Sequence, residues 1–425
     1  MNSENKVATF RAFRSRNYRL FFTGQSLSLI GTWMQRTGVS WMVYTITHST
    51  FMLGLTVFAA QFPSFLFSLF GGIVSDRYNR YKILLITQIA SMIQAVLLAV
   101  LTLTNHYTVS EILGLSVALG IVNAFDVPAR QPLVHEMLDD KADLPNALAL
   151  NSSMNNLARL LGPALSGIVL KSFGAGFCFL INALSFFAVL ISLLMMKLPS
   201  YKVTGVRKRV FSELSEGFNY IKDTSSIGIV LLMLMLISLL VLPYNTLLPV
   251  FAKVIYKGDA ATFGYINSFI GLGAIGGTFF LASLKPGADL KLILLVNTCI
   301  FGVALIIFSH LSFFPLAMLF AILCGFGTMS QTTICNTIIQ VNSDSAMRGR
   351  VIGYLAMAVF GMLPLGSLLV GAVSQKIGAP NAIFCQGIMA LVIAGLFSSF
   401  LRKDKLNKKE MKLLSEVEEG VMTKI

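Results

Sequence analysis

The sequence predicts an all-α membrane protein with twelve transmembrane helices arranged as two six-helix bundles. The composition, apolar runs of transmembrane length and an internal repeat carry this prediction. Hydrophobic residues make up 55% and charged residues 12% of the 425 residues, and the mean hydropathy is +0.76. Soluble domains carry about 25% charged residues, so we expect lipid to be the main solvent. In hydrocarbon a segment must satisfy its own backbone hydrogen bonds, and long unbroken apolar runs favour helices over the alternating strands of a barrel.

Twelve apolar runs are long enough to cross the hydrocarbon, for which an α-helix needs about 20 residues. Spans 1 to 6 are predicted at 18–47, 52–70, 82–103, 109–128, 148–170 and 176–196. Spans 7 to 12 are predicted at 227–250, 262–284, 290–309, 313–339, 351–373 and 381–401. Pro243 and Pro249, near the outer end of span 7, predict a flexible segment there.

The spans divide the chain into a tail at 1–17, a first bundle at 18–196, a connector at 197–226, a second bundle at 227–401 and a tail at 402–425. With both termini in the cytoplasm, only four of the 33 Lys and Arg residues fall on the outer side and three within spans. Cytoplasmic loops are enriched in basic residues, so this orientation is the predicted one. In the connector, VFSELSEGFNYI has apolar residues at helical spacing, which predicts an interfacial helix.

Spans 5 and 6 have a weak counterpart in spans 11 and 12. RLLGPALSGIVLKSFGAGFCFLINALSFF and GMLPLGSLLVGAVSQKIGAPNAIFCQGIMAL each combine a proline in a small-residue helix with a short glycine-containing turn. Duplication in the same orientation relates two halves by an axis along the membrane normal. It predicts a binding site at the midplane between them.

The segment GGIVSDRYNRYK places several charges on a very short turn between spans 2 and 3. Glycine lets two helices approach closely, and a carboxylate at such a junction can sit against the positive N-terminal end of another helix. We therefore expect a latch on the cytoplasmic side, to which MRGR at the start of span 11 contributes. The alternative is a basic cytoplasmic turn with an incidental acid. The predicted latch residues are Gly72, Asp76, Arg77, Arg80, Arg348 and Arg350.

This turn resembles the GxxxDRxxR signature loop of the major facilitator superfamily, with Asn79 in place of the usual glycine before the last arginine. GTWMQRTGVSWMVYTIT, NAFDVPARQPL, PNALALNSSMNNLARLLGPALSG and MRGRVIGYL resemble its branch of enterobactin-exporter-like and macrolide-efflux-like drug:proton antiporters. The resemblance implies the two-bundle major facilitator fold and export of a siderophore or drug driven by the proton gradient. It also implies a place in the bacterial cytoplasmic membrane.

Four ionisable side chains are predicted on membrane helices 1, 4 and 5: Arg36, Asp126, Arg130 and Arg159. Such a group costs about 2.5 to 3.5 kcal/mol at the helix centre and is a functional candidate by default. Asp126 is the only carboxylate placed well inside a span, so it is the predicted proton carrier. Pairing with Arg130, four residues on, or with Arg159 would hold it ionised until a proton releases the arginine. The alternative is a permanent structural ion pair.

Polar residues at helical spacing in span 1 predict a stripe that faces an internal cavity, with polar glue between helices as the alternative. Three arginines against one aspartate leave a cationic surplus within the first-half spans. This field would suit an anionic amphipathic substrate such as a catecholate or carboxylate siderophore, or a lipid headgroup. The predicted cavity residues are Gln25, Thr32, Gln35, Arg36, Asn123, Asn155, Asn245, Asn267, Gln331 and Asn336.

The sequence contains no GxxxxGKST loop, HExxH motif, zinc-ligand spacing or credible catalytic triad. Its five cysteines are scattered through apolar runs, as packing residues are. We therefore expect neither an enzyme nor an ATP-driven pump, and no cofactor or metal. The net charge of +14 is assigned to membrane orientation and not to nucleic acid. The expected partners are a small molecule, protons and the bilayer, with the chain as a monomer. Alternatives are a lipid translocator or importer on the same fold, or a non-transporting membrane sensor or partner protein.

Overall fold

The computed structural model describes residues 10–198, 210–285, 287–345 and 347–422, and these ranges are almost entirely helical. The first-half helices are α1 (Arg16–Thr47), α2 (Thr50–Arg77), α3 (Arg80–Leu103), α4 (Val109–Glu136), α5 (Leu144–Phe173) and α6 (Ala175–Leu194). The connector helix is α7 (Val210–Asp223). The second-half helices are α8 (Ser225–Leu240), α9 (Ala260–Ala282), α10 (Leu290–His310), α11 (Phe314–Asn342), α12 (Arg348–Ile377) and α13 (Ala379–Met422).

Several helices begin at a polar side chain that caps their free N–H groups. The side chains of Ser49, Thr108, Asp259 and Asp289 each accept a hydrogen bond from a backbone N–H in the first turn of α2, α4, α9 and α10. An N-cap of this kind satisfies one of the donors that a helix start leaves without a partner. The short polar turns therefore place the helix starts.

Ten helices in the described ranges are long and apolar enough to cross a membrane. The helices α1 and α5 are longer than most of these but carry more polar side chains, and they are not among the ten. Each of the twelve predicted spans nevertheless coincides with helical structure. The predicted helix in the connector is also present, as α7.

Several helices continue past the end of the predicted span. Span 2 was expected to end at residue 70, but α2 continues to Arg77, and span 4 was expected to end at residue 128, but α4 continues to Glu136. Pro128 and Pro132 lie inside α4. A drop in hydropathy marks the edge of an apolar run, whereas a helix ends where its backbone hydrogen bonds end. Prolines within membrane helices are tolerated when neighbouring groups satisfy the freed carbonyls.

The seventh predicted span is interrupted. After α8 the backbone forms a 3₁₀ segment at Leu242–Leu247, a short α-helical piece at Leu248–Val250 and a π-helical segment at Phe251–Ile255. Pro243 and Pro249 are the second residues of the first two pieces. Proline lacks the N–H needed for the α-helical ladder, and such irregular turns within a long helix often mark a hinge.

Helices of each half pack mainly on one another. In the first half α1 packs on α5 and α6, α2 on α4, and α3 on α4 and α6; in the second half α9 packs on α11, α12 on α8, and α10 on α11 and α13. The halves meet chiefly where α2 contacts α12 and where α5 contacts α9. We call the end of the helices that carries the α2–α3 turn and α7 the connector end, and the end that carries Gly174 and Gly378 the far end.

Candidate functional site

Two arginines lie over the ring of one tryptophan midway along the helices. Arg36 and Trp33 lie one turn apart on α1, and Arg159 lies on α5. The guanidinium carbons of Arg36 and Arg159 are 5.2 Å and 5.4 Å from the centroid of the Trp33 ring. A cation within about 6 Å of an indole is attracted by the negative face of the ring. One aromatic side chain therefore holds two positive charges close together.

Gly162 explains how α5 comes close enough to α1. A Cβ atom on Gly162 would lie 2.4 Å from the Cβ of Trp33, a separation that no side chain could adopt. Gly162 follows Arg159 by three residues, so both lie on the same face of α5. The missing side chain lets this face touch α1, and the contact brings Arg159 to Trp33.

The second half reaches the same point. Arg159 Nη1 lies 3.7 Å from the sulfur of Met329 on α11. Beside Met329, the Thr328 hydroxyl is 3.4 Å from the hydroxyl of Tyr244, which is fully buried in the 3₁₀ segment. Both halves thus line the centre occupied by Arg159.

The two guanidinium groups keep an uncompensated charge. Arg36 is exposed and Arg159 is half-buried, and we call the space beside them the cleft. Neither Arg36 nor Arg159 forms an ion pair with a carboxylate of the part of the chain that the structure describes. A charge held away from bulk water is costly unless it is paired. This cleft therefore favours an anionic group.

Asp126 lies elsewhere, inside the first half between α3 and α4. Its side chain is buried, at 2% exposure. One carboxylate oxygen accepts hydrogen bonds from the Thr87 hydroxyl at 2.8 Å and from Gln88 Nε2 at 2.7 Å, and the other pairs with Arg130 on the next turn of α4. The predicted pairing of Asp126 with Arg130 is therefore present, and Arg159 takes no part in it.

The second half contains a neutral copy of this arrangement. Gln331 stands at the corresponding position of α11, also buried, and its side-chain oxygen accepts from the Thr298 hydroxyl at 2.9 Å and from Asn297 Nδ2 at 3.2 Å. Thr298 and Asn297 lie on α10, as Thr87 and Gln88 lie on α3. An amide oxygen thus makes the same type of contacts in one half as a carboxylate makes in the other.

Comparison with known proteins places this arrangement in a family. Residues 7–423 match the family described as transmembrane secretion effector. The chain belongs to that family. It is similar to the staphyloferrin A transporter of Staphylococcus aureus, with 28% identity over 92% of this chain and 98% of the relative. It is also similar to the multidrug efflux pump Tap of Mycolicibacterium fortuitum (21% identity, covering 85% and 90%) and to the enterobactin exporter EntS of Salmonella choleraesuis (25% identity, covering 89% and 90%).

The fold agrees with that membership. The solved structure of the nucleoside transporter NupG superposes with a TM-score of 0.71 at 14% identity, over 91% of this chain and 98% of that chain. The predicted resemblance to the major facilitator superfamily is confirmed. This secretion effector is a multi-pass membrane transporter.

Two of the cavity residues predicted for this secretion effector are instead buried between packed helices. Gln35 is buried, donates to Gln94 Oε1 at 3.0 Å and accepts from Asn182 Nδ2 at 2.8 Å, which joins α1 to α3 and α6. Gln331 accepts hydrogen bonds from α10, as described above. The physical reason is the same for both: an amide between packed helices is stabilised by neighbouring amides and hydroxyls. For Gln35 the alternative of polar glue describes the contacts.

The remaining predicted cavity residues have less distinctive surroundings. Three of them make hydrogen bonds within their own helix. The side chain of Asn155 donates to the Asn151 carbonyl, that of Asn267 donates to the Phe263 carbonyl, and that of Asn336 accepts from Gln340. Gln25 is buried, with no partner for its side-chain oxygen among the described residues. Thr32 and Asn123 are half-buried, and Asn245 is exposed on the 3₁₀ segment.

The predicted latch residues lie at the connector end, in two separate groups. Arg80 pairs with Asp76 at 3.7 Å and with Glu136 of α4 at 3.2 Å, and the Asp76 side chain is 79% exposed. Arg77 is exposed on the same turn. At the start of α12 in the second half, Arg350 pairs with Glu216 of α7 at 2.5 Å, and Arg348 donates to the Ser343 carbonyl at 3.3 Å. Arg80 is therefore bound within the first half, whereas Arg350 is bound to the connector helix.

The glycine of close approach at this turn is Gly71 and not Gly72. A Cβ on Gly71 would lie 1.9 Å from the carbonyl oxygen of Ala124, whereas a Cβ on Gly72 would meet open space. Sequence reasoning also missed Trp33, Tyr244 and Met329. Trp33 could have been found from its place one turn before Arg36, since arginine and tryptophan at that spacing can stack.

Proposed function

We propose that this transporter exports a small anionic amphipathic molecule, a siderophore or an acidic drug, by proton antiport with alternating access. The observation that carries the proposal is that Arg36 and Arg159 both lie over the Trp33 ring, where the two halves meet, with no carboxylate partner among the described residues. Two relatives whose names state a siderophore, staphyloferrin A and enterobactin, support the substrate class.

The proposed topology has twelve spans in two six-helix bundles, in the cytoplasmic membrane of a bacterium. The ten apolar helices supply ten spans, and α1 and α5 supply the other two. These two helices carry Arg36 and Arg159, so their lower hydropathy fits helices that line a polar cleft. The excess of basic residues at the connector end supports a topology in which that end and both termini face the cytoplasm.

Asp126 is the proposed proton carrier. Its ionised form is stabilised by Arg130, Thr87 and Gln88, and protonation would remove the charge to which Arg130 is bound. Arg130 would then be released towards the connector end of α4, where Glu136 already holds Arg80 of the proposed latch. This route would connect a proton on Asp126 to the charged turn between α2 and α3.

Binding at the two arginines can be measured through Trp33 itself. The chain has two tryptophans, so in a Trp41→Phe background Trp33 is the sole indole fluorophore. We expect enterobactin or staphyloferrin A to change its fluorescence on binding. Arg36→Gln and Arg159→Gln should each weaken that binding about 10- to 100-fold, because a charge-assisted hydrogen bond contributes about 1.5 to 3 kcal/mol. Lys82→Gln, which removes an exposed charge at the connector end, should leave the affinity unchanged.

Equal affinity of the natural and Arg→Gln forms for these anions would reject an anionic substrate site. Export is then tested with protein reconstituted in vesicles under an imposed pH gradient. Movement of a fluorescent phospholipid but of neither siderophore would favour a lipid translocator, and protein that moves no solute and dissipates no gradient would be a sensor or partner protein.

A further inference from the structure

The two contacts between the halves at the far end are copies of one another. Lys171 lies three residues before Gly174 at the end of α5, and Gln375 lies three residues before Gly378 at the end of α12. Both glycines have φ of 85°. Lys171 meets the N-cap of α9, whereas Gln375 meets the N-cap of α2. Each contact therefore joins the end of a helix in one half to the start of a helix in the other.

Glycines bring the helices together at both places. A Cβ on Gly167 would lie 3.0 Å from the Cα of Gly264 and 3.1 Å from the Ala260 carbonyl oxygen. At the other contact, a Cβ on Gly371 would lie 3.1 Å from the Cα of Gly54 and 2.6 Å from the Thr50 carbonyl oxygen. The same positions of the repeat thus make the same close approach.

The chemistry of the two copies differs. Lys171 Nζ is 3.0 Å from Asp259 Oδ2, and we call this ion pair the charged lock. The side chains are 62% and 46% exposed, so salt can screen them. The hydrogen bond and charge of Lys171 lower the pKa of Asp259 from its ordinary value. Towards acid pH the pair therefore persists until the pH falls through the lowered pKa of Asp259. Lys257 and Tyr265 line the same surface pocket.

The second copy has no charge. Gln375 Oε1 accepts hydrogen bonds from the Thr50 N–H at 3.0 Å, the Thr50 hydroxyl at 3.1 Å and the Ser49 hydroxyl at 3.1 Å, and we call this contact the neutral lock. It satisfies a backbone donor at the start of α2 that would otherwise lack a partner. Neutral hydrogen bonds respond little to ionic strength.

We propose that the charged lock and the neutral lock together hold the far end shut, and that ionic strength acts on only one of them. The inference rests on the proposed alternating access, because a rocking motion that separates the halves at this end must open both contacts at once. The two locks then contribute jointly to the equilibrium between the shut and the open far end.

The test is labelling of a buried reporter between α5 and α9. Ala260 is 4% exposed, and Ala260→Cys is made with Cys299→Ser and Cys385→Ser to remove the accessible thiols. Right-side-out membrane vesicles are treated with a membrane-impermeant maleimide at about 0.05 M and about 1 M salt, across which the Debye length falls from above 10 Å to about 3 Å. We expect labelling to rise several-fold with salt.

The decisive variant replaces the two residues of the charged lock by the residue types of the neutral lock. Lys171→Gln with Asp259→Ser supplies the residues found at Gln375 and Ser49, and serine remains a good N-cap. Labelling should stay low and lose its salt dependence. Gln375→Ala, made in the Ala260→Cys reporter with the charged lock intact, should raise labelling several-fold at both salt concentrations.

Unchanged salt dependence in the Lys171→Gln, Asp259→Ser variant, or unchanged labelling in Gln375→Ala, would overturn the proposal. The assay uses no substrate and no proton gradient, so absent export would leave its result intact. If labelling follows this pattern only in inside-out vesicles, the two locks are supported, but the far end faces the cytoplasm and the proposed orientation is wrong.

Discussion

At the scale of single residues, Asp126 is informative because the chain contains its own comparison. Gln331 makes matching hydrogen bonds to α10 with a neutral amide, so packing of these helix pairs does not require a negative charge. In the first half the carboxylate adds an ion pair with Arg130. A buried ion pair contributes little net stability compared with a neutral arrangement of similar shape. Packing therefore does not explain the charge at residue 126, and we propose that the charge serves transport.

Asp126→Gln tests this explanation, because it installs the residue found in the second half. We expect gradient-driven export to be lost while the Trp33 fluorescence response to substrate is kept. Gln331→Ala is the structural control, since it removes the corresponding hydrogen bonds without changing charge; it should lower the melting temperature of the purified protein but keep the response to a pH gradient. Normal pH-driven export by Asp126→Gln would eliminate Asp126 as the proton carrier.

Residue identity alone predicted the charged centre only in part. The four charged residues expected on membrane helices separate into two sites, with Arg36 and Arg159 at Trp33 and Asp126 with Arg130. The sequence could not decide this separation. A side chain's partner depends on how helices rotate against each other, and Gln35, one residue from Arg36, points into the first half instead of the cleft.

At the scale of helices, close approach depends on single glycines whose neighbours in the sequence look equivalent. Gly71 lies against the backbone of α4, and Gly72 beside it faces open space. We expect Gly71→Ala to destabilise the protein, by about 1 to 3 kcal/mol if the helices shift to relieve the overlap. Gly72→Ala should be neutral or stabilising by about 0.5 to 1 kcal/mol, because alanine favours the helix. The melting temperatures of the two purified variants compare the effects directly, and equal values would contradict the assigned contact.

Helix ends show why hydropathy located the helices but did not give their lengths. All twelve predicted spans are helical, yet α2 and α4 extend seven and eight residues further than the apolar runs predicted. Charged residues after an apolar run can continue a helix beyond the hydrocarbon. The ends are then decided by caps such as Asn79, whose side chain accepts from the first N–H groups of α3.

At the scale of the whole molecule, the contacts between halves suggest which end is shut. The charged and neutral locks close the far end, while Asp76 is exposed beside Arg80 at the connector end. We expect the predicted Asp76 latch to act when the connector end closes. Asp76→Ala should then favour the form with a shut far end, and labelling of the Ala260→Cys reporter from that side should fall. Asp139→Ala, which removes another exposed acid near this end, should leave labelling unchanged, and equal labelling in all three forms would count against the latch.

The amino-acid sequence by itself determined that the chain is a helical membrane protein, where its apolar helices lie, and that it resembles the major facilitator superfamily. These properties follow from local composition and spacing, because the bilayer penalises unsatisfied backbone and unpaired charge wherever they occur along the chain. Only the tertiary structure decided that Arg159 meets Trp33, that Gln331 repeats the contacts of Asp126, and that Lys171 and Gln375 occupy matching positions. Those facts depend on the rotation and close approach of helices distant in sequence, and such approach depends on glycines and partners that no local pattern identifies.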